Sequence, residues 1–440
     1  MDARQKNPRL GTLLAVMTLA HTVASFCNLS IPPLTPYLRE EMSLTHAQVG
    51  MLMSFFYIGV VSASILFGWI SDLLGVRWAL ILGLGIQGVF MTGFAWIHTF
   101  FLGGILLFLS GIGYSSVNPA TTKGVMRWFP PQGRATAMGV KQTGIPLGGI
   151  LAASTLPGLA LAFGWRTAII LVGVVTLIFI FVVRIGMPLA PPLQEQRSAM
   201  RWDQLRKVLS NRPILALSLM GIFLAGTQLS IVTHLVLFLK SKFLFSSVLA
   251  GIYLAVAQVG GTAGRIGWGL VSDFLAKGKR KEILVLIGII AVAQLFLLSR
   301  IEPGISGGLL FLIIGLLGCT TIGFHGVFIG FMGELAHRDL VGLTVGFSLT
   351  IQFMGIILFP PLFGYIVDRL GAYGKAWDML ALSWIVALFI LIFFVKEKKI
   401  ELKHQIPSTK LFHGGYKDMG KNFKKVGVIH LDDAWRMAAG

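Results

Sequence analysis

Two positively charged side chains, Lys141 and Arg265, lie inside long apolar stretches of this sequence. A charged side chain at the centre of a membrane helix costs about 2.5–3.5 kcal/mol on insertion scales, so it faces a cavity or a partner. Asp and Glu residues, by contrast, all fall in polar segments or at the ends of the apolar stretches. An apolar interior with positive charge and no negative charge favours an anionic guest, so the predicted chemistry is binding.

Arg265 is the first candidate for contact with that anion, because a guanidinium can hold a carboxylate through two parallel hydrogen bonds. The alternative interpretation has Arg265 extending to the membrane surface or pairing with Asp273, two turns further on. Lys141 lies two turns into its own stretch, and extension to the surface is an equally good interpretation of it. If both cations face one cavity, the pair could accept a dianion.

Neutral polar residues in the same stretches complete the candidate substrate site. His21, His234 and His325 could carry a coupled proton, since no carboxylate lies at membrane depth, and their spacing predicts no metal site. The residues that could orient a substrate are Asn28, Asn118, Gln142, Gln258 and Gln352. For each of these eight residues, ordinary hydrogen bonding between helices is the alternative interpretation. Asn118 precedes Pro119, which predicts a helix break of the kind that borders transport sites.

The composition limits the class of protein. The chain is 55% hydrophobic and 12% charged, with a mean hydropathy of +0.80, which is typical of integral membrane proteins. A net charge of +19 could indicate nucleic-acid binding, but a soluble basic domain would not contain this much apolar sequence. We therefore expect no nucleic-acid partner. Cys27 and Cys319 have no metal-ligand spacing and are interpreted as packing residues, and no cofactor is predicted.

A membrane-crossing helix needs about 20 mostly apolar residues, and this rule predicts an all-α integral membrane protein with twelve spans. The first six predicted spans are about 11–33, 47–70, 77–97, 100–122, 135–157 and 166–187. The second six are about 213–239, 247–270, 282–300, 306–330, 341–363 and 376–395. The N-terminal stretch lacks a small-residue cleavage site, so it is interpreted as a retained first span.

The widest polar interruption, residues 188–212, divides the spans into two equal sets. We predict an N-terminal six-helix half at 1–187, a cytoplasmic linker at 188–212 and a C-terminal six-helix half at 213–395. A basic cytoplasmic tail follows at 396–440. Lys and Arg residues are concentrated in the loops on the linker side, which predicts that both termini are cytoplasmic.

A short motif closes predicted span 2, with Gly68, Asp72, Gly75 and Arg77 in the pattern G-x-x-x-D-x-x-G-x-R. Gly68 would permit close helix contact. Asp72 could accept hydrogen bonds from amides at a helix start and pair with a base across the loop. Arg77 could bind either Asp72 or a lipid phosphate. The motif is interpreted as a conformational latch.

Related strings recur further along the chain. A near copy containing Asp273 ends predicted span 8, and the string 363–371, with Gly364, Asp368 and Gly371, follows predicted span 11. Such repeats indicate a duplicated architecture. The third string falls on the opposite face of the membrane, which fits inverted repeats inside two pseudo-symmetric halves.

The motif in span 2 resembles the loop 2–3 signature of the major facilitator superfamily. The string 139–149 resembles the glycine–proline motif that this family has in span 5, and 164–166 resembles its entry into span 6. The string 127–137 is similar to loop 4–5 of bacterial organic-anion members. The resemblance covers nearly all of residues 10–395, and it implies a carrier whose halves rock around a central site.

Within that family, the sequence is most similar to bacterial organic-anion and monocarboxylate carriers, of the oxalate:formate antiporter and anion:cation symporter types. Such carriers use an arginine of span 8 for substrate, and Arg265 stands there. A second base on span 11 is replaced by Gln352, which favours a monoanion. Leu73 and Val76 replace usual bases of the latch, which implies a looser latch. Leu107 replaces a frequent arginine of span 4, which argues against proton coupling through that position.

The expected function is inward transport of a small organic anion, such as a monocarboxylate, by proton symport or anion exchange. We expect a monomer in a bacterial inner (plasma) membrane, with the anion, the lipid bilayer and, under symport, protons as partners. An exporter, a carrier of an inorganic oxyanion, and a non-transporting receptor or scaffold on the same fold are the alternatives. An enzyme is not expected, because no nucleophile, metal or carboxylate-pair motif lies at membrane depth.

Overall fold

The computed structural model describes residues 10–130, 133–189, 202–276, 279–337 and 340–395. These residues are almost entirely helical, and no strand occurs within the described ranges. Twelve segments are long and apolar enough to cross a membrane, which confirms the predicted all-α architecture. Spans 1–6 are Leu10–Met42, His46–Leu73, Gly75–Phe94, Phe100–Trp128, Thr136–Phe163 and Trp165–Gly186. Spans 7–12 are Arg212–Phe243, Ser247–Leu275, Arg280–Arg300, Gly307–Leu335, Leu343–Leu370 and Tyr373–Phe394.

Four spans are interrupted near their middle. Each consists of two helices, which are Leu10–Asn28 and Ile31–Met42 in span 1, Phe100–Tyr114 and Val117–Trp128 in span 4, Arg134–Gln142 and Gly144–Phe163 in span 5, and Gly307–Thr321 and His325–Leu335 in span 10. Proline explains three of the breaks, because it has no N–H to donate to the carbonyl four residues earlier. Pro33, Pro119 and Pro146 each lie four residues after a residue at the break of span 1, 4 or 5. The carbonyl of that residue therefore has no backbone N–H to accept from.

Several spans are longer than hydropathy predicted. Span 1 continues beyond residue 33 to Met42, and span 11 continues beyond residue 363 to Leu370. The prediction that the string 363–371 follows span 11 is therefore wrong, because most of this string forms the last turns of the helix. A span predicted from hydropathy ends where polar residues begin, whereas the helix itself continues until its backbone is capped.

Glycines end spans 2 and 11 in equivalent ways. Gly75 has φ +82° and Gly371 has φ +65°, a left-handed conformation that glycine adopts without steric cost. Each follows an aspartate by three residues, Asp72 in span 2 and Asp368 in span 11. The two strings that the sequence identified as related thus share a backbone conformation at the C-terminal ends of their helices, on opposite faces of the membrane.

The two sets of six spans meet along two seams, span 2 against span 11 and span 5 against span 8. We call the membrane face at which span 2 begins the His46 face, and the one at which it ends the Asp72 face. Near the His46 face, a Cβ on Gly50 would lie 2.4 Å from Pro360 backbone atoms, so the helices touch. Near the Asp72 face, a Cβ built on any of five glycines in spans 2, 5, 8 and 11 would have no described atom within 4 Å. These glycines are Gly68, Gly139, Gly267, Gly269 and Gly346. The halves therefore meet at the His46 face and separate toward the Asp72 face.

Little of the predicted polar segments is described. Within the predicted linker 188–212, residues 202–209 form the short helix Trp202–Leu209, and residues 190–201 lie outside the described residues. The predicted tail 396–440 also lies outside them.

Candidate substrate site

Arg265 lies in span 8 beside the break of span 10. Its Nε donates a long hydrogen bond of 3.5 Å to the carbonyl of Ile322, the first residue of that break. Within the described part of the chain, this is the one hydrogen bond of the guanidinium, and no carboxylate pairs with it. The alternative pairing with Asp273 is wrong, because Asp273 pairs instead with Arg280 at 2.5 Å. Both terminal nitrogens of Arg265 are thus available to a ligand.

Two further polar side chains lie within electrostatic range of the Arg265 guanidinium. One is the phenol of Tyr114, the last residue before the break of span 4. The other is the imidazole of His325, the first residue after the break of span 10. The Nδ1 atom of His325 is buried and has no hydrogen-bond partner among the described residues. A guanidinium, a phenol and an imidazole therefore gather where two spans are broken, as expected of a transport site.

Lys141 is fully buried and does not extend to the membrane surface. Its ammonium donates to Asn118 Oδ1 at 3.1 Å, Thr121 Oγ1 at 3.0 Å and Thr122 Oγ1 at 2.8 Å. An ammonium has three hydrogens, so all of them are directed to acceptors on span 4. No carboxylate of the described residues pairs with it. The extension that the sequence left open is therefore wrong.

The structure does not bring the two cations into one clamp. Lys141 uses its hydrogens within the first six spans, and Arg265 bonds to Ile322 within the last six. Lys141 thus contributes positive charge and fixes span 4, whereas Arg265 keeps free donors. A direct bidentate contact with an anion is available only at Arg265.

His21 extends the polar cluster from span 4 to span 1. Its Nε2 lies 2.8 Å from Thr121 Oγ1, the same hydroxyl that accepts from Lys141. The Thr121 hydroxyl can donate to the Val117 carbonyl at 2.7 Å, which leaves its oxygen to accept from both neighbours. His21 Nδ1 is buried without a partner among the described residues. The cluster therefore links spans 1, 4 and 5 through a single hydroxyl.

The amide side chains predicted for the site are buried or partly buried, apart from the exposed Asn118. Asn28, at the end of the first helix of span 1, donates through Nδ2 to Tyr57 at 3.0 Å, and its Oδ1 is unpaired within the described part. Gln142 Oε1 and Gln352 Nε2 are likewise buried and unpaired there. Gln258 lies against Gly149 at the seam of spans 5 and 8. Unpaired buried polar atoms cost free energy, so these three amides have hydrogen-bonding capacity for a ligand or water.

His234 is separate from this group. Its Nε2 donates to the Pro360 carbonyl at 2.9 Å, and its ring stacks on Phe363 with centroids 4.8 Å apart. These contacts lie near the His46 face and join spans 7 and 11. They support the interpretation of His234 as a packed, hydrogen-bonded residue.

The latch residues have partners that the sequence did not identify. Asp72 accepts from Lys123 Nζ at 2.5 Å, and the same ammonium donates to the Gly68 carbonyl at 2.6 Å. Of the two partners predicted for Arg77, Asp72 is not its partner here, because Asp72 pairs with Lys123, and Arg77 Nε is buried without a partner within the described part. Gly68 makes no close helix contact here either, because the halves are apart at this face. The Arg280 guanidinium bonds to two carboxylates, to Asp273 Oδ1 at 2.5 Å and to Glu334 Oε1 at 3.0 Å.

Sequence reasoning missed Tyr57, Tyr114, Thr121 and Thr122 as members of the site. A tyrosine in an apolar span is a usable signal, because its hydroxyl requires a partner when buried. The threonines gave no signal, since helical threonines commonly bond to their own backbone. Among the described residues, no group of three or more His, Cys, Asp or Glu side chains could hold a metal ion.

Twelve membrane-length helices, broken where a polar and positively charged group of side chains gathers, define a multi-pass membrane transporter rather than an enzyme. The chain belongs to the Major Facilitator Superfamily, because a profile of that family matches residues 17–360. It is similar to an uncharacterized MFS-type transporter of Mycobacterium tuberculosis, with 27% identity over 83% of this chain and 81% of the relative. Its relatives are bacterial, so it is a multi-pass protein of the inner membrane.

Two named transporters are also similar to the chain. The hexuronate transporter of Bacillus subtilis is 24% identical over 82% of this chain and 89% of its own. A probable sulfoacetate transporter of Cupriavidus necator is 34% identical over 38% of each chain. Among solved structures, a nucleoside transporter has a TM-score of 0.74 at 17% identity, covering 88% of this chain and 100% of its own. A D-xylose–proton symporter has a TM-score of 0.73 at 15% identity, covering 89% and 99%. These structural likenesses show the fold.

Proposed function

We propose that this transporter moves a small organic anion by alternating access, with Arg265 as the principal anion ligand. The observation that carries the proposal is the Arg265 guanidinium, whose terminal nitrogens have no partner within the described part of the chain. A charge inside a membrane span without a counter-ion is costly, and a carboxylate would relieve that cost through two parallel hydrogen bonds. The interior contains two such cations and no carboxylate partner for either among the described residues.

The named relatives support an organic acid as the substrate class. They include transporters of hexuronate and, as probable assignments, sulfoacetate and L-galactonate. All three compounds are small organic anions; hexuronate and L-galactonate have one carboxylate each, and sulfoacetate has a carboxylate and a sulfonate. We propose a monocarboxylate, because this chain has the neutral Gln352 on span 11 where the similar oxalate carriers have a second base. Lys141 does not replace that cation, since its three hydrogens are already directed to span 4.

We infer that transport is driven by proton symport or by exchange of anions. His325 is the candidate proton carrier for the first mode, because its Nδ1 is buried without a partner among the described residues. The charge of Arg265 disfavours a proton there, so a bound anion that neutralises Arg265 would favour protonation of His325. Asn28, Asn118, Gln142, Gln258 and Gln352 would orient the substrate, and His21 would act through Thr121. His234 contributes to packing between spans 7 and 11 in this proposal.

The orientation follows from the distribution of bases. We propose that the Asp72 face is cytoplasmic, with both termini on that side. Residues 1–187 and 213–395 would be the two moving halves of a monomer, joined by the linker 188–212 and followed by the tail 396–440. Gly68, Asp72, Gly75, Arg77 and Asp273 would then form the cytoplasmic latch, with Lys123 and Arg280 supplying its bases. The structure is open toward the proposed cytoplasmic face.

The experiment compares Arg265→Gln with a matched control, Arg300→Gln. Arg300 lies at the end of span 9 on the His46 face, where it pairs with Asp378 at 3.2 Å. Thermal unfolding against carboxylates, sulfonates and sugar acids first identifies a stabilising anion. Uptake of that anion into proteoliposomes should be lost in Arg265→Gln and retained in Arg300→Gln, with both variants folded. Unchanged uptake by Arg265→Gln would exclude the role assigned to it. Deletion of residues 396–440 tests the scaffold alternative, because a carrier should keep its uptake whereas a non-transporting scaffold should lose its function.

A further inference from the structure

A cavity of about 490 Å³ lies at the His46 face, between the ends of spans 1 and 7. Span 1 and the residue that caps it contribute the polar side chains of Arg39, Glu40 and Ser43 to its lining. Span 7 contributes those of Lys240 and Ser241. Span 1 belongs to the first six spans and span 7 to the second six. The two halves of the protein therefore form this cavity together, and each half supplies one cation.

The Arg39 guanidinium is held at the end of span 1. Its Nε donates to the Leu44 carbonyl at 3.0 Å, just beyond the helix. The dipole of span 1 also favours a cation at this C-terminal end. Within the described part of the chain, the terminal nitrogens of Arg39 have no hydrogen bond or ion pair. Both therefore keep their hydrogens for a ligand in the cavity.

Lys240 is the cation supplied by span 7. Its ammonium makes no hydrogen bond or ion pair among the described residues, although the exposed Glu40 lines the same cavity. Lys242, two residues later, pairs with Glu302 at 3.6 Å and lies outside the lining. Of the described residues, two cations and one acid thus share the cavity, and a concave surface with an excess of positive charge attracts an anion.

A second carboxylate near this cavity is already bound elsewhere. Asp368, at the end of span 11, accepts from the backbone N–H groups of His46 at 2.9 Å and Ala47 at 2.8 Å. His46 Nδ1 donates to the same carboxylate at 2.7 Å. Asp368 thus caps the first turn of span 2 from the other half of the protein. Arg39 lies within electrostatic range of His46, but no ion pair among the described residues joins Arg39 to Asp368.

The position of the cavity favours an anion that arrives from water. The second helix of span 1, Ile31–Met42, packs against spans 2, 5, 6, 7 and 8. Its end is therefore surrounded by protein rather than by lipid. Ser43 and Ser241, which line the cavity, are exposed. A water-soluble anion can reach both cations by this route, whereas a lipid headgroup would have to leave the bilayer.

We propose that this cavity is a second anion site, in which a small oxyanion, such as a phosphate or a carboxylate, binds Arg39 and Lys240 together and holds the His46 face closed. We call Arg39, Ser43, Lys240 and Ser241 the bridging anion site. The hydroxyls of the two serines are further donors to the anion. The site is separate from the central one, where Arg265 is the proposed ligand.

Occupancy of the bridging anion site is linked to the conformation of the protein. The anion contacts one cation from each half, so its affinity falls when spans 1 and 7 separate. A ligand that binds the closed face better than the open face shifts the population toward the closed one. The inference rests on the proposed function for alternating access, since it requires a state in which this face is open.

The test measures thermal unfolding of the purified protein against inorganic phosphate, in a neutral detergent and at constant ionic strength. The wild-type protein should show a saturable rise in melting temperature, whose midpoint gives the apparent Kd for phosphate. Phosphate also stabilises proteins in general, because it is excluded from their surfaces. That effect does not saturate and is common to all variants, so differences in midpoint report binding at the site.

Lys240→Gln is the decisive variant, and Lys242→Gln is its matched control. Lys240→Gln should weaken phosphate binding about tenfold or more, because a hydrogen bond from a charged donor is lost. Lys242 lies in the same last turn of span 7, so Lys242→Gln removes an equal charge and should bind phosphate like the wild type. Arg39→Gln should also weaken binding, but it loses the bond to Leu44 as well.

Gly364→Ala tests the link between binding and closure. A Cβ on Gly364 would lie 2.2 Å from the carbonyl carbon and oxygen of His46, so the halves must move apart at this face. Gly364 lies outside the lining, yet phosphate affinity should fall about tenfold or more, because the two cations separate. Gly308→Ala is the control, since Gly308 lies in the first turn of span 10 and its Cβ would meet no described atom within 4 Å.

Arg265→Gln distinguishes the bridging anion site from the central site. This variant should bind phosphate like the wild type, because Arg265 lies in span 8 beside the break of span 10. The proposed function is tested by uptake of substrate and the bridging anion site by phosphate binding. A failure of one is therefore distinguishable from a failure of the other.

Added lipid distinguishes a free anion from a lipid headgroup. The phosphate midpoint should be the same when phosphatidylglycerol or phosphatidylcholine is added to the detergent. Loss of phosphate binding with phosphatidylglycerol alone would assign the cavity to an anionic headgroup and overturn the proposal.

Three further results would overturn it. They are the lack of a saturable rise in the wild type, an unchanged midpoint in Lys240→Gln or Gly364→Ala, and a weakened midpoint in Lys242→Gln or Arg265→Gln. Gel filtration of each variant checks that it is folded. Lys240→Gln removes no contact of the described residues, so it decides the assignment even if Gly364→Ala fails to fold.

Discussion

The Ser54 hydroxyl of span 2 donates a hydrogen bond of 2.5 Å to the Ile357 carbonyl of span 11. Pro361 explains why this carbonyl is available, because it lies four residues later and has no N–H to donate. A proline inside span 11 thus provides an acceptor for the opposite half. The seam between spans 2 and 11 is specified by this pairing as well as by apolar packing.

Ser54→Ala should weaken the seam. The variant leaves the Ile357 carbonyl without a side-chain donor, a loss of about 1–3 kcal/mol when the group stays buried. The closed contact at the His46 face should be disfavoured. Spin labels attached to His98→Cys and Gly308→Cys, two exposed positions on that face, would detect this as a longer distance. Ser64→Ala is the control, since Ser64 donates to the Val60 carbonyl of its own helix. Equal label distances in the two variants would contradict the role given to Ser54.

Gly364→Ala should prevent closure of the same seam. The added Cβ would lie 2.2 Å from His46 backbone atoms, a distance that requires the backbone to move. Uptake of the substrate should fall by an order of magnitude or more, because the closed state is required in each cycle. Gly308→Ala is the control, since Gly308 lies in the first turn of span 10, outside both seams, and its Cβ would meet no described atom within 4 Å. Uptake by Gly364→Ala at the wild-type rate would show that transport does not require this seam to close.

Lys141→Met should abolish transport and lower stability. The methionine retains most of the volume but leaves Asn118, Thr121 and Thr122 without the ammonium that they share. The expected loss is about 1–3 kcal/mol for unpaired buried groups, read as a lower melting temperature in detergent. Lys141→Arg should not restore uptake, because a planar guanidinium cannot direct hydrogens to three acceptors that surround one nitrogen. Uptake by Lys141→Met at the wild-type rate would show that its charge serves structure alone.

Much of the architecture was predictable because hydropathy alone reports on it. Twelve runs of about 20 apolar residues can satisfy their backbone groups in a membrane only as helices. The break of span 4 was also predictable, since Pro119 marks it in the sequence. The ends of spans 1 and 11 were not, because the residues there are polar and a cap such as Gly371 decides them.

The candidate site was predictable in membership and not in arrangement. Arg265 and Lys141 stand out in the sequence because charge is rare in an apolar span. Their different roles depend on neighbours that are distant in sequence. Lys141 bonds to Asn118, Thr121 and Thr122, about 20 residues earlier. The one hydrogen bond of the Arg265 guanidinium within the described residues is to the Ile322 carbonyl, 57 residues later.

The sequence by itself determined that this chain crosses a membrane, that its spans are repeated and that its interior is positive. Each of these properties follows from residue type and local spacing. The tertiary structure alone decided which face is closed and which groups close it. Asp368 and His46 are 322 residues apart, and nothing local to either predicts their contact. An aspartate becomes a helix cap for another half of the protein only when folding brings the two helix ends together.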